Sequence, residues 1–278
     1  MPFPWFEYKN EKSLTNIHFS PANGIPAQSY DSFFKQLQNQ FNISAMDTRG
    51  AWEHSKSPDE SLTFENYADD LIAALESQYN EPIIGIGHSL GGAVTILAAI
   101  KRPELFSKVV LIDPASTPTV YANFLFQLLP QFLQVKFFPF IKGSLRRRRV
   151  WDSREQFFNH YREHRTFERF TDQALLDYAQ YGLRKLNNNQ YELIFAPEWE
   201  AFNFRRVGFL WDSLVKLQTP TLFIRAEYKS LYSQATFIRY NRQLKTNVIA
   251  KTLPTTSHLM THEQTDVVSA AILEWLNK

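Results

Sequence analysis

Residues 84–94 read IGIGHSLGGAV: an apolar run, a serine framed by glycines, then apolar helix-forming text that continues to Lys101. Within it Gly87, His88, Ser89, Leu90 and Gly91 match G-x-S-x-G, placed after a strand-like run and before a helical one. The glycines have a mechanical reason. A strand that turns abruptly into a helix around a strained serine leaves no room for side chains on either flank. The Ser89 hydroxyl is thereby expected at the carboxyl edge of a sheet. The first free N–H groups of the following helix, that of Leu90 foremost, then point at the reacting atom, where they stabilise negative charge on an oxygen.

Outward from this corner, short apolar runs alternate with helical patterns: LTNIHFS, SYDSFFKQLQNQ, FNISAMD, NYADDLIAALESQY, PIIGIGHS. That rhythm predicts βαβ units and a parallel sheet flanked by helices. Tyr67, Leu71, Ile72 and Leu75 share one helix face, with Asp69, Asp70 and Glu76 largely off it. The alternation resumes at TPTLFIRAE, passes NVIAKTLP and ends in THEQTDVVSAAILEWLNK. Thr261 and Gln264 read as a capping box for that last helix, with Val267, Ala271 and Trp275 or Val268, Ile272 and Leu276 as its buried stripe. Between about residues 116 and 212 the text becomes aromatic, leucine-rich and arginine-rich. It reads as a helical cap inserted into a core made of residues 1–115 and 213–278.

The cap opens with FLFQLLPQFLQVKFFPFIKG, where Pro130, Pro139, Lys136 and three glutamines interrupt the run before the ~20 apolar residues a membrane span needs. No stable span is expected. The segment reads as the cover of an apolar pocket or, alternatively, as an interfacial lid that touches lipid. Arg146, Arg147, Arg148 and Arg149 follow, a charge run expected to be a solvated face paired with nearby acids.

Composition excludes several classes. The 278 residues are 44% apolar, enough for one large core, and the net charge of +2 gives no indication of a nucleic-acid partner. The absence of cysteine rules out disulfides, thiolate metal sites and a cysteine nucleophile. The opening MPFPWFEYKNEKS lacks a basic n-region followed by an apolar h-region, so no signal peptide is read and a cytoplasmic protein is expected.

The serine corner in this setting resembles the α/β-hydrolase fold family, and GHSLGG is a form of the nucleophile elbow found among its esterases and lipases. The resemblance covers essentially the whole chain. It implies a mostly parallel sheet of eight strands, or fewer where it is trimmed at its amino end, with the cap inserted after KVVLID. It also implies a first oxyanion loop at SPANGIP, where Asn23 stands in place of the family's histidine and the backbone amide of Ile25, after Gly24, is the expected donor beside that of Leu90. MDTRGAWEHS resembles another family loop from which Ala51 to His54 depart; Asp47 and Arg49 are read as a structural pair. TTSHLMTHEQ places His258 where the family keeps its base, and an imidazole can take the serine proton and return it to a leaving group. His88 reads as packing into the elbow, His18 as a strand residue, and His54, His160, His164 and His262 as surface or cap residues.

The acid is the unusual element. The family's commonest aspartate would follow TLFIRAE, yet Tyr228, Lys229, Ser230, Leu231 and Tyr232 stand there, with Ser230 roughly at the aspartate's place. A second family solution puts the acid at the end of the strand before the cap, which here is Asp113. Glu227 is the alternative, and a Ser–His dyad helped by water a third. HYREH, His160 to His164, formally matches H-x-x-E-H, but no third metal ligand can be picked and no metal or other cofactor is expected. These residues predict a serine hydrolase acting on a carboxylic ester or related acyl substrate, a small molecule with an apolar or aromatic acyl group. A carbon–carbon bond hydrolase or lyase with a pocket charged by Arg146 to Arg149, and a low-turnover ligand receptor on the same fold, are the alternatives.

Overall fold

A computed structural model describes residues 3–53 and 57–278. The chain begins with strands β1 (Trp5–Tyr8) and β2 (Asn16–Ser20), helix α1 (Asp31–Gln38), β3 (Asn42–Met46), α2 (Phe64–Gln78), β4 (Ile83–His88), α3 (Leu90–Lys101) and β5 (Phe106–Ile112). It ends with β9 (Thr221–Ala226), α11 (Gln234–Asn241), β10 (Val248–Leu253), α12 (Met260–Glu263) and α13 (Thr265–Leu276). Between these blocks lie α4 (Val120–Leu128), α5 (Gln131–Phe137), α6 (Pro139–Leu145), β6 (Val150–Trp151), α7 (Arg154–Arg162), α8 (Asp172–Tyr181), β7 (Leu183–Lys185), β8 (Tyr191–Leu193), α9 (Pro197–Arg205) and α10 (Trp211–Leu214).

Among the described residues seven strands form the main sheet, in the order β1-β3-β2-β4-β5-β9-β10. All neighbours are parallel except β1, which runs antiparallel to β3 at the edge. The sheet is thus one strand short of the full eight, within what the resemblance implies. Its central strands are buried on both faces, as parallel strands covered by helices must be. Alternation along each strand decides which side a residue packs on: Val110, Ile112, Leu222 and Ile224 join α1 and α13 residues on one face, and Val109, Leu111 and Phe223 join α2 and α3 residues on the other.

The expected stripe of α2 is buried, and that of α13 is the Val268, Ile272, Leu276 set, while Val267 is exposed. The start of α13 differs from expectation. Gln264, not Thr261, precedes its first residue. Thr261 is instead buried in the short α12, where its hydroxyl lies 3.1 Å from His262 Nδ1. Tertiary contacts hold these residues in a separate turn that local capping chemistry did not reveal.

The stretch between β5 and β9 adds no strand to the main sheet, but it is not wholly helical. β6, β8 and β7 make a small antiparallel sheet. Its hairpin turns at Asn187–Asn189, where Asn189 adopts φ 64° and Leu186 N donates to the Gln190 carbonyl at 2.8 Å. The asparagine run was the available signal, since asparagine tolerates the left-handed conformation better than other side chains. The chain reverses direction across the sheet between β2 and β4, so the loops after these strands diverge and leave a crevice at the carboxyl edge.

Candidate active site

Ser89 joins β4 to α3 with φ 53° and ψ −115°, a conformation rarely adopted by residues with a side chain. The corner is bolted to three segments. Ser89 N donates to the Ile112 carbonyl at 3.0 Å, Gly91 N to the Pro21 carbonyl at 3.0 Å, and the Ser89 carbonyl accepts from Ala115 N at 2.8 Å. A Cβ on Gly91 would lie 2.0 Å from the Ser20 carbonyl oxygen, so the close approach of α3 to the end of β2 requires glycine there.

His258, in the turn between β10 and α12, reaches this corner. Its Nε2 is 3.0 Å from Ser89 Oγ, and its Nδ1 is 2.6 Å from Asp113 Oδ2. A carboxylate only accepts, so Nδ1 donates to Asp113 and the Nε2 lone pair is left facing the serine O–H. Asp113 is fully buried, itself at a positive φ of 39°, and anchored by more than the histidine. Its Oδ1 accepts from Ser230 Oγ at 2.6 Å and Ala226 N at 3.3 Å, and its Oδ2 accepts from Leu231 N at 3.3 Å. Ser230, roughly at the place of the family's commonest aspartate, therefore holds the carboxylate that comes from the other strand. Glu227 is exposed and accepts from Thr255 N at 2.7 Å; it is Asp113 that faces His258.

The loop after β2 lies opposite. Gly24 takes φ 79°, and the Ile25 amide makes a long 3.4 Å bond to the Ala22 carbonyl. The Leu90 amide belongs to the first turn of α3, whose N–H groups have no helical acceptor. Asn23 anchors the loop to α9: its Nδ2 donates to the Glu200 carbonyl at 2.9 Å, and its Oδ1 accepts from Asn203 Nδ2 at 2.9 Å. Tyr178 Oη donates to the Gly24 carbonyl at 3.1 Å, and Arg147 is ion-paired with Glu200 beside it. Asp47 and Arg49 take different partners. Asp47 accepts from Ala27 N at 2.6 Å, and burial pushes its carboxyl up to about 7, whereas Arg49 makes a two-pronged pair with Asp70 on α2 at 2.6 and 2.8 Å.

His88 does more than pack. Its Nε2 donates to the His258 carbonyl at 2.8 Å, which leaves Nδ1 to accept from Tyr30 Oη, also at 2.8 Å. The Tyr30 oxygen accepts from Ala22 N at 3.0 Å. A buried chain of hydrogen bonds therefore ties the loop after β2 to the turn that carries His258. The partners are 58 and 170 residues from His88 in sequence, so no local pattern marks them. Tyr30→Phe leaves the Ala22 amide without its acceptor and His88 Nδ1 with only the longer 3.4 Å contact to the Thr261 hydroxyl, and is expected to cost about 1–3 kcal/mol in urea unfolding. An unchanged midpoint would show that water takes over both bonds.

His18 and His262 are buried as well, the latter stacked on Phe170 at 4.7 Å, contrary to its expected surface or cap position. Burial lowers both imidazoles to about 3; for His88, burial and then the neighbouring His258 act in the same direction. With unfolded values near 6.5, the unfolded chain binds these protons first as pH falls. Their contribution is complete above about 6.5 and is lost below it, at up to ~1.4 kcal/mol per pH unit for each histidine. Urea unfolding at stepped pH between about 6.5 and 4 should show this slope, and His18→Gln should flatten it. A stability independent of pH over that window would refute the neutral buried histidines.

His160 and His164 are exposed and His160 rests against Trp151 at 5.1 Å; His54 lies outside the described residues. Among the described residues no group of three histidine, cysteine or acidic side chains converges as a metal site. Three arginines of the charge run meet acids: Arg147 with Glu200, Arg148 with Asp152 and Arg149 with Glu198. A hollow of about 610 Å³ is lined by Arg149, Arg184, Glu192 and Glu198, and one of about 480 Å³ by Lys35, Arg154 and Asp177. Ser89 lines neither of these two hollows.

Residues 20–271 match the sequence profile of the Alpha/beta hydrolase family. The chain is 25% identical over 250 residues to an uncharacterised hydrolase, YugF, of Bacillus subtilis, spanning 90% of this chain and 85% of that one. A shorter stretch of 106 residues is 38% identical to the monoglyceride lipase of Rattus norvegicus, about a third of each chain (35% and 34%). Among solved structures, an E-2-(acetamidomethylene)succinate hydrolase superposes with a TM-score of 0.79 at 19% identity, over 99% of this chain and 94% of that one, a likeness of fold.

Proposed function

The chain belongs to the alpha/beta hydrolase family, and from that premise we propose that it is a serine hydrolase that cleaves carboxylic esters of apolar or aromatic acyl groups through an acyl-enzyme on Ser89. The observation that carries this reading is the unbroken line from Asp113 through His258 to Ser89, with contacts of 2.6 and 3.0 Å and the carboxylate shut off from solvent. Residues 1–115 and 213–278 are the catalytic core in this reading, and 116–212 the cap.

In the first step Ser89 Oγ bonds to the ester carbonyl carbon while its proton passes to His258 Nε2. The carbonyl oxygen becomes an oxyanion, taken up by the amides of Leu90 and Ile25, the latter exchanging its long bond to Ala22. Asp113 holds the imidazole in the tautomer this transfer needs and offsets its positive charge. Collapse breaks the bond to the leaving alkoxide, which takes the proton from His258. Water then repeats the sequence on the acyl-serine and releases the acid. An apolar acyl group is supported by the aromatic and leucine-rich composition of residues 116–212, the cap in this reading.

The test is labelling by a fluorophosphonate, followed by turnover of p-nitrophenyl esters of increasing chain length. Labelling at Ser89 with turnover that rises beyond acetate is the expected result. Labelling without turnover of any ester would keep the nucleophile and overturn the ester reading.

A further inference from the structure

The first three helices of the inserted segment wear their apolar side outwards. On α4, Tyr121, Phe124, Leu125 and Leu128 form one helical stripe and are 45–70% exposed, and the helix has no buried residue at all. A stripe with this spacing ordinarily faces a protein core. Phe132 and Phe137 on α5 and Phe140 and Leu145 on α6 are exposed too. The rings of Phe126, Phe138 and Phe140 meet edge to face in succession at 4.6 and 5.9 Å, and Gln134 Nε2 donates to the Phe126 carbonyl at 2.9 Å, so the three helices make one continuous surface. Contiguous exposed apolar area of this kind marks an interaction site.

Charge identifies the occupant. No aspartate or glutamate occurs between Asp113 and Asp152, a stretch that holds Lys136, Lys142 and Arg146 to Arg149. Arg147, Arg148 and Arg149 are paired with acids from outside the stretch. Lys136, Lys142 and Arg146 are exposed, and among the described residues they have no acidic partner. We propose that the α4–α6 face docks on the surface of a lipid assembly carrying anionic headgroups, with the aromatic stripe in the acyl boundary and the three free cations among the phosphates. A second copy of the chain fits less well, because a two-fold contact through this face would set the same uncompensated cations against one another.

The helices have nine, seven and seven residues, and among the described residues no helix is long and apolar enough to cross a membrane, so the face lies in the interface plane. The end of the segment touches the loop after β2, where Arg147 Nη1 donates to the Gly24 carbonyl at 3.5 Å. Docking would therefore bring lipid close to the candidate active site. The proposal itself does not depend on what Ser89 does.

Flotation of the full chain with vesicles tests it. The protein is expected to float with phosphatidylcholine vesicles containing about 30% phosphatidylglycerol, weakly with phosphatidylcholine alone, and less as salt rises. Phe124→Ser with Leu128→Ser, and separately Lys136→Glu with Lys142→Glu, should each lower the partition coefficient roughly tenfold or more. Both variants should keep the wild-type melting temperature, because the substituted side chains are exposed. No flotation of the wild type with the anionic vesicles overturns the proposal, as does flotation that neither variant weakens. Concentration-dependent dimerisation abolished by Phe124→Ser with Leu128→Ser, without lipid binding, assigns the face to a second copy and likewise overturns it.

Discussion

Ser89→Ala is expected to abolish fluorophosphonate labelling and to lower kcat for every p-nitrophenyl ester by roughly 10⁴–10⁶-fold. The loss is that large because, among the described residues, no other hydroxyl is hydrogen-bonded to His258 Nε2 and could substitute. The sequence has no cysteine, and Ser89 Oγ is the hydroxyl 3.0 Å from His258 Nε2. Stability should barely move, since the corner is held by backbone hydrogen bonds to Ile112 and Ala115 that alanine keeps. Ser89→Gly sharpens the test. At φ 53° glycine relieves the strain of a side chain, so this variant should be as stable as the wild type or more so, by about 1 kcal/mol, and still be inactive. Persistent labelling of the alanine variant at another residue would sink the assignment. Activity retained by either variant would mean that the strained corner serves the fold alone.

Asp113→Asn carries the second large effect, a drop in kcat of roughly 10²–10⁴-fold with KM little changed. The carboxyl is fully buried and its two oxygens accept from His258 Nδ1, Ser230 Oγ and two backbone amides. An amide in its place presents an NH₂ either to His258 or to those donors. It can hold the imidazole in the wrong tautomer, and it cannot offset the charge that forms when Nε2 takes the serine proton. Glu227→Gln should cost little, because that side chain is exposed and bonded to the Thr255 amide. Paired pH–rate profiles separate the possibilities. Near-normal catalysis in Asp113→Asn with collapse in Glu227→Gln would move the acid to the end of β9; near-normal catalysis in both would leave a Ser–His dyad.

Several parts of this site were open to reading along the chain because they depend on neighbours in sequence. The elbow is one: Gly87 answers a steric demand made within five residues, by the Gly91 carbonyl, although Gly91 itself answers the end of β2. The alternation of apolar runs and helical stripes is another, since strand period and helix period are local properties that survive into the folded sheet with Val110 and Ile112 on one face and Val109 and Leu111 on the other. The position of His258 between the last strand and the terminal helix followed from the same rhythm. Arg148 and Arg149 behave as a like-charge run on a folded surface ordinarily does, exposed and paired with acids, whereas Arg147 departs from the expected solvated face and is largely buried against Glu200, Tyr161 and Tyr178.

What the sequence determined by itself was therefore the class of fold, the strained serine and the turn bearing the histidine. Tertiary structure alone decided which carboxyl faces that histidine. Asp113 and His258 are 145 residues apart, and Ser230, 117 residues from Asp113, holds that carboxylate from the place where the family's commonest aspartate would stand. It also decided that His88 and Tyr30 tie the loop after β2 to the turn of His258, and that Thr261 is buried in a turn of its own. Above all, it decided the direction in which the aromatic helices face. A stripe of Tyr121, Phe124, Leu125 and Leu128 has the same period whether it lines a pocket or looks outwards. Periodicity specifies that one side of a helix is apolar; only the packing of the rest of the chain determines what that side meets.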